Sequence, residues 1–145
     1  PDPALPIDDS DRGCDTGECN HHKAWTRQHP TIEIADGDVI SETGTEIYNL
    51  IHVLGIKKLF FTGVHTNMCV LDRSFGIKQM TRWGIDCVLV RDLTDSMYSP
   101  KRAPYVSHER GTELVVEHIE KHWCPTTTSA DLAALMKNLG TPPTP

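Results

Sequence analysis

Between residues 43 and 54 the apolar positions Ile47, Leu50, Ile51 and Leu54 recur at i, i+3, i+4 and i+7. That spacing predicts an amphipathic helix, and Gly55 is placed to stop it. The run K-K-L-F-F-T-G-V at 57–64 is continuously apolar in its middle, as a strand buried on both faces would be. Residues 68–82 return to helical spacing, with Leu71 and Phe75, and Val70 and Ile77, as inward pairs, and Gly84 is the expected terminator. C-V-L-V at 87–90 predicts a second buried strand, ending in Arg91-Asp92. A helix follows over 107–122, with Leu114, Val115, His118 and Ile119 on one side. The Thr-rich stretch 125–130 predicts a third strand. A last helix covers 131–140, stopped by Gly140.

From residue 43 onward, helices and strands alternate. This order predicts an α/β fold: a doubly wound, mostly parallel sheet with helices on both faces. Three strands are few for such a sheet, whose first strand normally lies at its centre. The expectation is therefore a chain lacking the N-terminal strands, completed by a preceding portion or by another copy. Before this core, residues 1–30 read as an irregular Pro/Asp/Gly-rich segment. T-I-E-I at 31–34 and D-V-I at 38–40 are short strand-like pieces around the turn signal Asp36-Gly37. Residues 31–140 form the expected domain, and 141–145 a tail.

Composition narrows the function classes. The chain has 145 residues, 38% hydrophobic and 23% charged, with a net charge of −6. That is one globular domain's worth of sequence. Acidic residues are dispersed and no Lys/Arg run occurs, which argues against nucleic acid as a partner. No apolar stretch approaches the ~20 residues of a membrane span, so no membrane partner and a soluble, cytoplasmic protein are expected. Five cysteines, Cys14, Cys19, Cys69, Cys87 and Cys124, form an odd and widely spaced set. A disulfide scaffold is not expected from them, and a reducing compartment fits.

Chemistry concentrates at the junction of the first strand and the helix after it. In a parallel α/β sheet, ligands bind beyond the carboxyl ends of the strands. Cys69 falls there, in the first turn of the following helix. Free Cys is often simply buried packing. The same position also offers partial positive charge to a thiolate and N–H groups to an oxyanion. Both readings stand on spacing alone.

The stretch Gly63-Val64-His65-Thr66-Asn67-Met68-Cys69-Val70 resembles the G-V-x-T-x-x-C-V elbow of the isochorismatase-like cysteine hydrolases, which include nicotinamidases and N-carbamoylsarcosine amidase. The resemblance extends from about residue 38 to 133. It implies a Cys–Lys–Asp triad in which Cys69 is the nucleophile, and hydrolysis of a small molecule's amide-type C–N bond through a thioester on Cys69. It implies a cis peptide between Val64 and His65, with N–H groups at Met68 and Cys69 holding the oxyanion. No Lys stands in 36–47, where the family has one, and no part of the chain matches the first strand that carries the family Asp. The alternative is a catalytically silent or divergent binding or assembly subunit. Tyr98 and His108, downstream of the second strand, are candidate pocket residues. No cofactor is expected. Cys14, Cys19, His21 and His22, spaced C-x4-C-x-H-H, are the residues a zinc ion would use. The expected partners are a small-molecule substrate and a homo-oligomer or missing N-terminal portion.

Overall fold

The computed structural model describes residues 1–11 and 29–139. It is an α/β structure built on an open, parallel, three-stranded sheet. In chain order the elements are α1 (Gly44–Val53), β1 (Lys58–Val64), a π turn (Thr66–Val70), α2 (Ile77–Arg82), β2 (Asp86–Asp95), α3 (His108–His122), β3 (Thr126–Thr127) and α4 (Ser129–Leu139). The strands lie in the order β1-β2-β3, so among the described residues β1 is an edge strand.

Local chemistry ends the helices where the spacing predicts. Gly55, at φ +65°, closes α1: its N–H reaches the His52 carbonyl at 3.2 Å, and the Ile56 N–H reaches that of Ile51 at 2.9 Å. Gly84, at φ +79°, does the same for α2 through the carbonyls of Thr81 and Met80. This paired pattern satisfies carbonyls that a helix end would otherwise orphan, and glycine enters the left-handed region without steric cost. At the start of α3, the Ser107 hydroxyl accepts the Arg110 N–H at 3.2 Å. Thr128 and Asp131 bond reciprocally at the head of α4.

The core gathers Ile51, Leu71, Ile77, Met80, Leu89, Val115 and Ile119, all buried. Four expectations are corrected. The segment 68–82 is not one helix: the chain turns back at 73–76 and α2 begins only at Ile77. Gly76 permits this, since a Cβ there would meet three backbone atoms of residues 70–73 at 2.9 Å. Leu54 is exposed, because the helix ends before its face can turn inward. The pieces 31–34 and 38–40 form no strand. They find no ladder partner among the described residues, and Ile32, Ile34, Val39 and Ile40 are exposed. The second strand does not stop at Asp92 but continues to Asp95.

That continuation is irregular. Phe61 pairs with Leu89, but Gly63 pairs with Thr94, so β2 runs through three more residues than β1 over the same interval. Within this excursion Val90 pairs with Thr127 of β3, and the Asp92 carboxylate holds the Ser129 backbone N–H at 2.7 Å. The N-terminal segment forms no helix or strand, yet Ile7 is buried in the core. The Asp8 N–H bonds to the Ala103 carbonyl at 2.8 Å, and Arg102 lies 3.7 Å from Asp8 and 3.2 Å from Asp11. This segment is a strap across the loop that follows β2.

Among the described residues no helix is long and apolar enough to cross a membrane.

Candidate functional site

The penultimate residue of β1, Gly63, sits at φ +120°, a conformation open to glycine and strained for other residues. The Val64–His65 peptide that follows is cis, as the resemblance implies. The chain then winds into the π turn, where the His65 carbonyl accepts the N–H groups of Met68 and Val70, each at 3.1 Å. Met68 thus donates its N–H within the turn. A turn closed by i→i+5 bonding is wider than an α-helical one, which sets Cys69 differently from a residue in an ordinary first helical turn.

Buried side chains on the turn tie it to β2. Thr94 donates its hydroxyl proton to the Gly63 carbonyl at 2.8 Å. The 2.6 Å contact between the Thr66 and Thr94 hydroxyls is therefore donated by Thr66. Asn67 is 1% exposed and uses both ends of its amide. Its Oδ1 accepts the Met97 N–H at 2.8 Å, and its Nδ2 donates to the Met97 carbonyl at 3.2 Å and to Asp9 Oδ2 at 2.9 Å. The amide thus joins the turn, the segment after β2 and the N-terminal strap.

Cys69 is half-buried and lines two depressions. One, of about 130 Å³, is mostly apolar in its side chains and includes Phe61, Val64, Val70 and Phe75. The other, of about 310 Å³, is lined by Asp9, Asn67, Met68, Cys69, Asp72 and Arg73. The thiols of Cys87 and Cys124 are buried. Burial is the largest cause that pushes Cys87 up to about 12 and Cys124 up to about 11. Sequence reasoning missed Asp9. It stands 58 positions before Asn67, in the run Asp8-Asp9-Ser10-Asp11, which carries no periodic signal.

His65, Tyr98 and His108 come together in a separate cleft of about 360 Å³, with Asp95 and Ser96. Cys69 does not line it. Tyr98 is a scaffold residue there: its hydroxyl donates to the Arg102 carbonyl at 2.9 Å and accepts the Val106 N–H at 3.2 Å. The ring also packs against Gly111, where a Cβ would come within 2.2 Å of it. His108 faces two acceptors, the Tyr98 carbonyl at 2.9 Å and Asp95 Oδ1 at 2.8 Å. Both ring nitrogens must donate, which requires the imidazolium. The bond to the Tyr98 carbonyl, then that to Asp95, raises the His108 pKa above its ordinary value. For Asp95, burial pushes upward, but hydrogen bonds from His108 and Thr112 outweigh it and hold the carboxyl low.

A raised folded-state pKa means that the His108 contribution is complete below the unfolded value of ~6.5 and is lost as pH rises through the folded value. An NMR titration of the His108 ring should give a midpoint above ~6.5, lowered by Asp95→Asn. An unchanged midpoint in that variant would remove Asp95 from the pairing.

Cys14, Cys19, His21, His22 and Lys23 lie outside the described residues. Among those described, no group of three or more His, Cys, Asp or Glu is arranged to hold a metal ion. Comparison with protein-family models, with curated proteins and with solved structures finds no match.

Proposed function

We propose that this chain is an isochorismatase-like cysteine hydrolase acting on the amide-type C–N bond of a small molecule, with Cys69 as nucleophile. One observation carries the reading. Of the three described thiols, Cys69 alone is half-buried in a turn at the carboxyl end of a parallel strand and open to depressions that can hold a ligand. Cys87 and Cys124 are buried and held protonated. In the proposed reaction the Cys69 sulfur bonds to the carbonyl carbon and the C–N bond breaks. The amine leaves with a proton, and water then cleaves the thioester to the acid and the thiol. The free outer edge of β1 supports a larger, doubly wound sheet, extended by strands from outside the described residues or from another copy.

A second reading, a divergent binding or assembly subunit, is favoured by a different observation. Among the described residues no Lys lines either depression that Cys69 lines.

The two separate on activity. Ammonia release from a panel of small amides that includes nicotinamide and N-carbamoylsarcosine should be measured for the wild type and Cys69→Ala. The hydrolase reading expects turnover that falls by at least roughly 10³-fold in the variant, as loss of a covalent nucleophile does. Turnover that survives the substitution would remove Cys69 as the nucleophile, and none in the wild type would favour the binding subunit.

A further inference from the structure

We propose that the depression of about 310 Å³ beside the π turn binds a small zwitterion, an amide that carries both an ammonium and a carboxylate as an α-amino acid does. Asp9 takes the ammonium and Arg73 the carboxylate. The amide in that class rests on the reading of Cys69 as nucleophile; the two charges do not.

Two opposite charges line the depression without compensation. Asp9 is half-buried, and its carboxylate is held by one neutral donor, the Asn67 amide, at 2.9 Å. It has no cation partner among the described residues, whereas Asp8 and Asp11 face Arg102. A carboxylate drawn partly out of water without a cation carries a cost that a bound cation removes. Arg73 is the counterpart. Its backbone is fixed next to Cys69: its N–H donates to the Cys69 carbonyl at 3.4 Å, and its carbonyl accepts the Gly76 N–H at 2.7 Å. Among the described residues no hydrogen bond or ion pair ends on its guanidinium.

Asp9 and Arg73 line one depression yet do not pair with each other. A guanidinium presents a fork of donors that matches a carboxylate, and the Asp9 carboxylate keeps lone pairs for an ammonium. The third charged residue there, Asp72, is already paired with Lys78 at 2.6 Å. Asn67 and Met68 are uncharged. A simple cation or a simple anion would satisfy only one of the two free charges, whereas a zwitterion satisfies both. The volume, at the lower end for ligand sites, limits the ligand to a small molecule.

Three probes separate the charges: L-asparagine, 3-aminopropanamide, which lacks the carboxylate, and succinamic acid, which lacks the ammonium. Each is titrated into the isotope-labelled Cys69→Ala chain at low ionic strength, where exposed charges are least screened. Amide NMR shifts then report affinity and an intact fold without turnover. Asparagine should bind roughly tenfold more tightly than either analogue, as the loss of one charged hydrogen-bonding group implies. Adding Arg73→Gln should erase its advantage over 3-aminopropanamide only. Adding Asp9→Asn, which keeps an oxygen for the Asn67 amide, should erase its advantage over succinamic acid only. Equal affinities for the three probes, a preference that neither substitution changes, or no shifts with any probe would overturn the site. Ammonia release from asparagine by the wild type reads the nucleophile separately: binding with this charge pattern but without hydrolysis would support the site and remove the role of Cys69.

Discussion

Asn67→Ala should lower stability by roughly 2–4 kcal/mol, more than the loss of a single hydrogen bond. Three bonds end on this side chain, and it is 1% exposed. Truncation leaves the Met97 N–H and carbonyl without partners in a half-buried setting, and leaves a small cavity under the π turn. The Asn67→Asp variant separates these effects by pH. Its second oxygen would replace a donor that now faces Asp9 Oδ2 and the Met97 carbonyl, so two carboxylates would meet. The new buried carboxyl has a folded-state pKa above its unfolded value. Stability relative to wild type should therefore be nearest to normal below about pH 4 and fall as pH rises. Urea midpoints at pH 4 and 7 check this. A penalty for Asn67→Asp that is the same at both values would show that Asn67 does not face Asp9 in solution.

Gly44→Ala should be comparably damaging, for a reason of shape. A Cβ on Gly44 would stand 1.9 Å from the Ser74 carbonyl oxygen and 2.5 Å from its carbon. Both are backbone atoms, so no rotamer change relieves the overlap. The close approach exists because the Gly44 N–H donates to Ser74 Oγ at 3.0 Å, docking the start of α1 on the turn between the π turn and α2. Moving apart breaks that bond and lifts Ile47 and Ile51 from the core. The expected loss is about 3 kcal/mol, at the upper end for overpacking, or roughly 6–12 °C in melting temperature for a chain of this size. Gly84→Ala is the control. Its φ of +79° is strained for alanine, but nothing lies within 4 Å of the added carbon, so about 1 kcal/mol is expected. Equal melting temperatures for the two variants would contradict this packing.

What the sequence made legible follows the range of each signal. Helix ends at Gly55 and Gly84 are written within a few residues, because a left-handed glycine and its two hydrogen bonds are local. The two long strands and α3 were legible from apolar runs and spacing. The break at 73–76 was not, since Leu71 and Ile77 keep helical spacing across it and both are buried. Pattern records which side chains go inward, not whether the backbone between them is continuous. The same holds for the site. Cys69 was legible because its motif is contiguous, whereas Asp9 reaches it through contacts spanning 58 positions that no spacing encodes.

The N-terminal strap bears on how the gene can be shortened. Residues 1–11 contain no helix or strand, and a designer trimming to regular structure would begin the reading frame after them. Such a clone would lose Ile7 from the core, and with it the acidic grip on Arg102 and the carboxylate held by Asn67. It would then express as an aggregation-prone fragment with its apolar interior open to solvent, and an assay on it would report on the trimming instead of on Cys69. A cloning boundary drawn from backbone regularity alone would cut through the part of the polypeptide that closes the molecule.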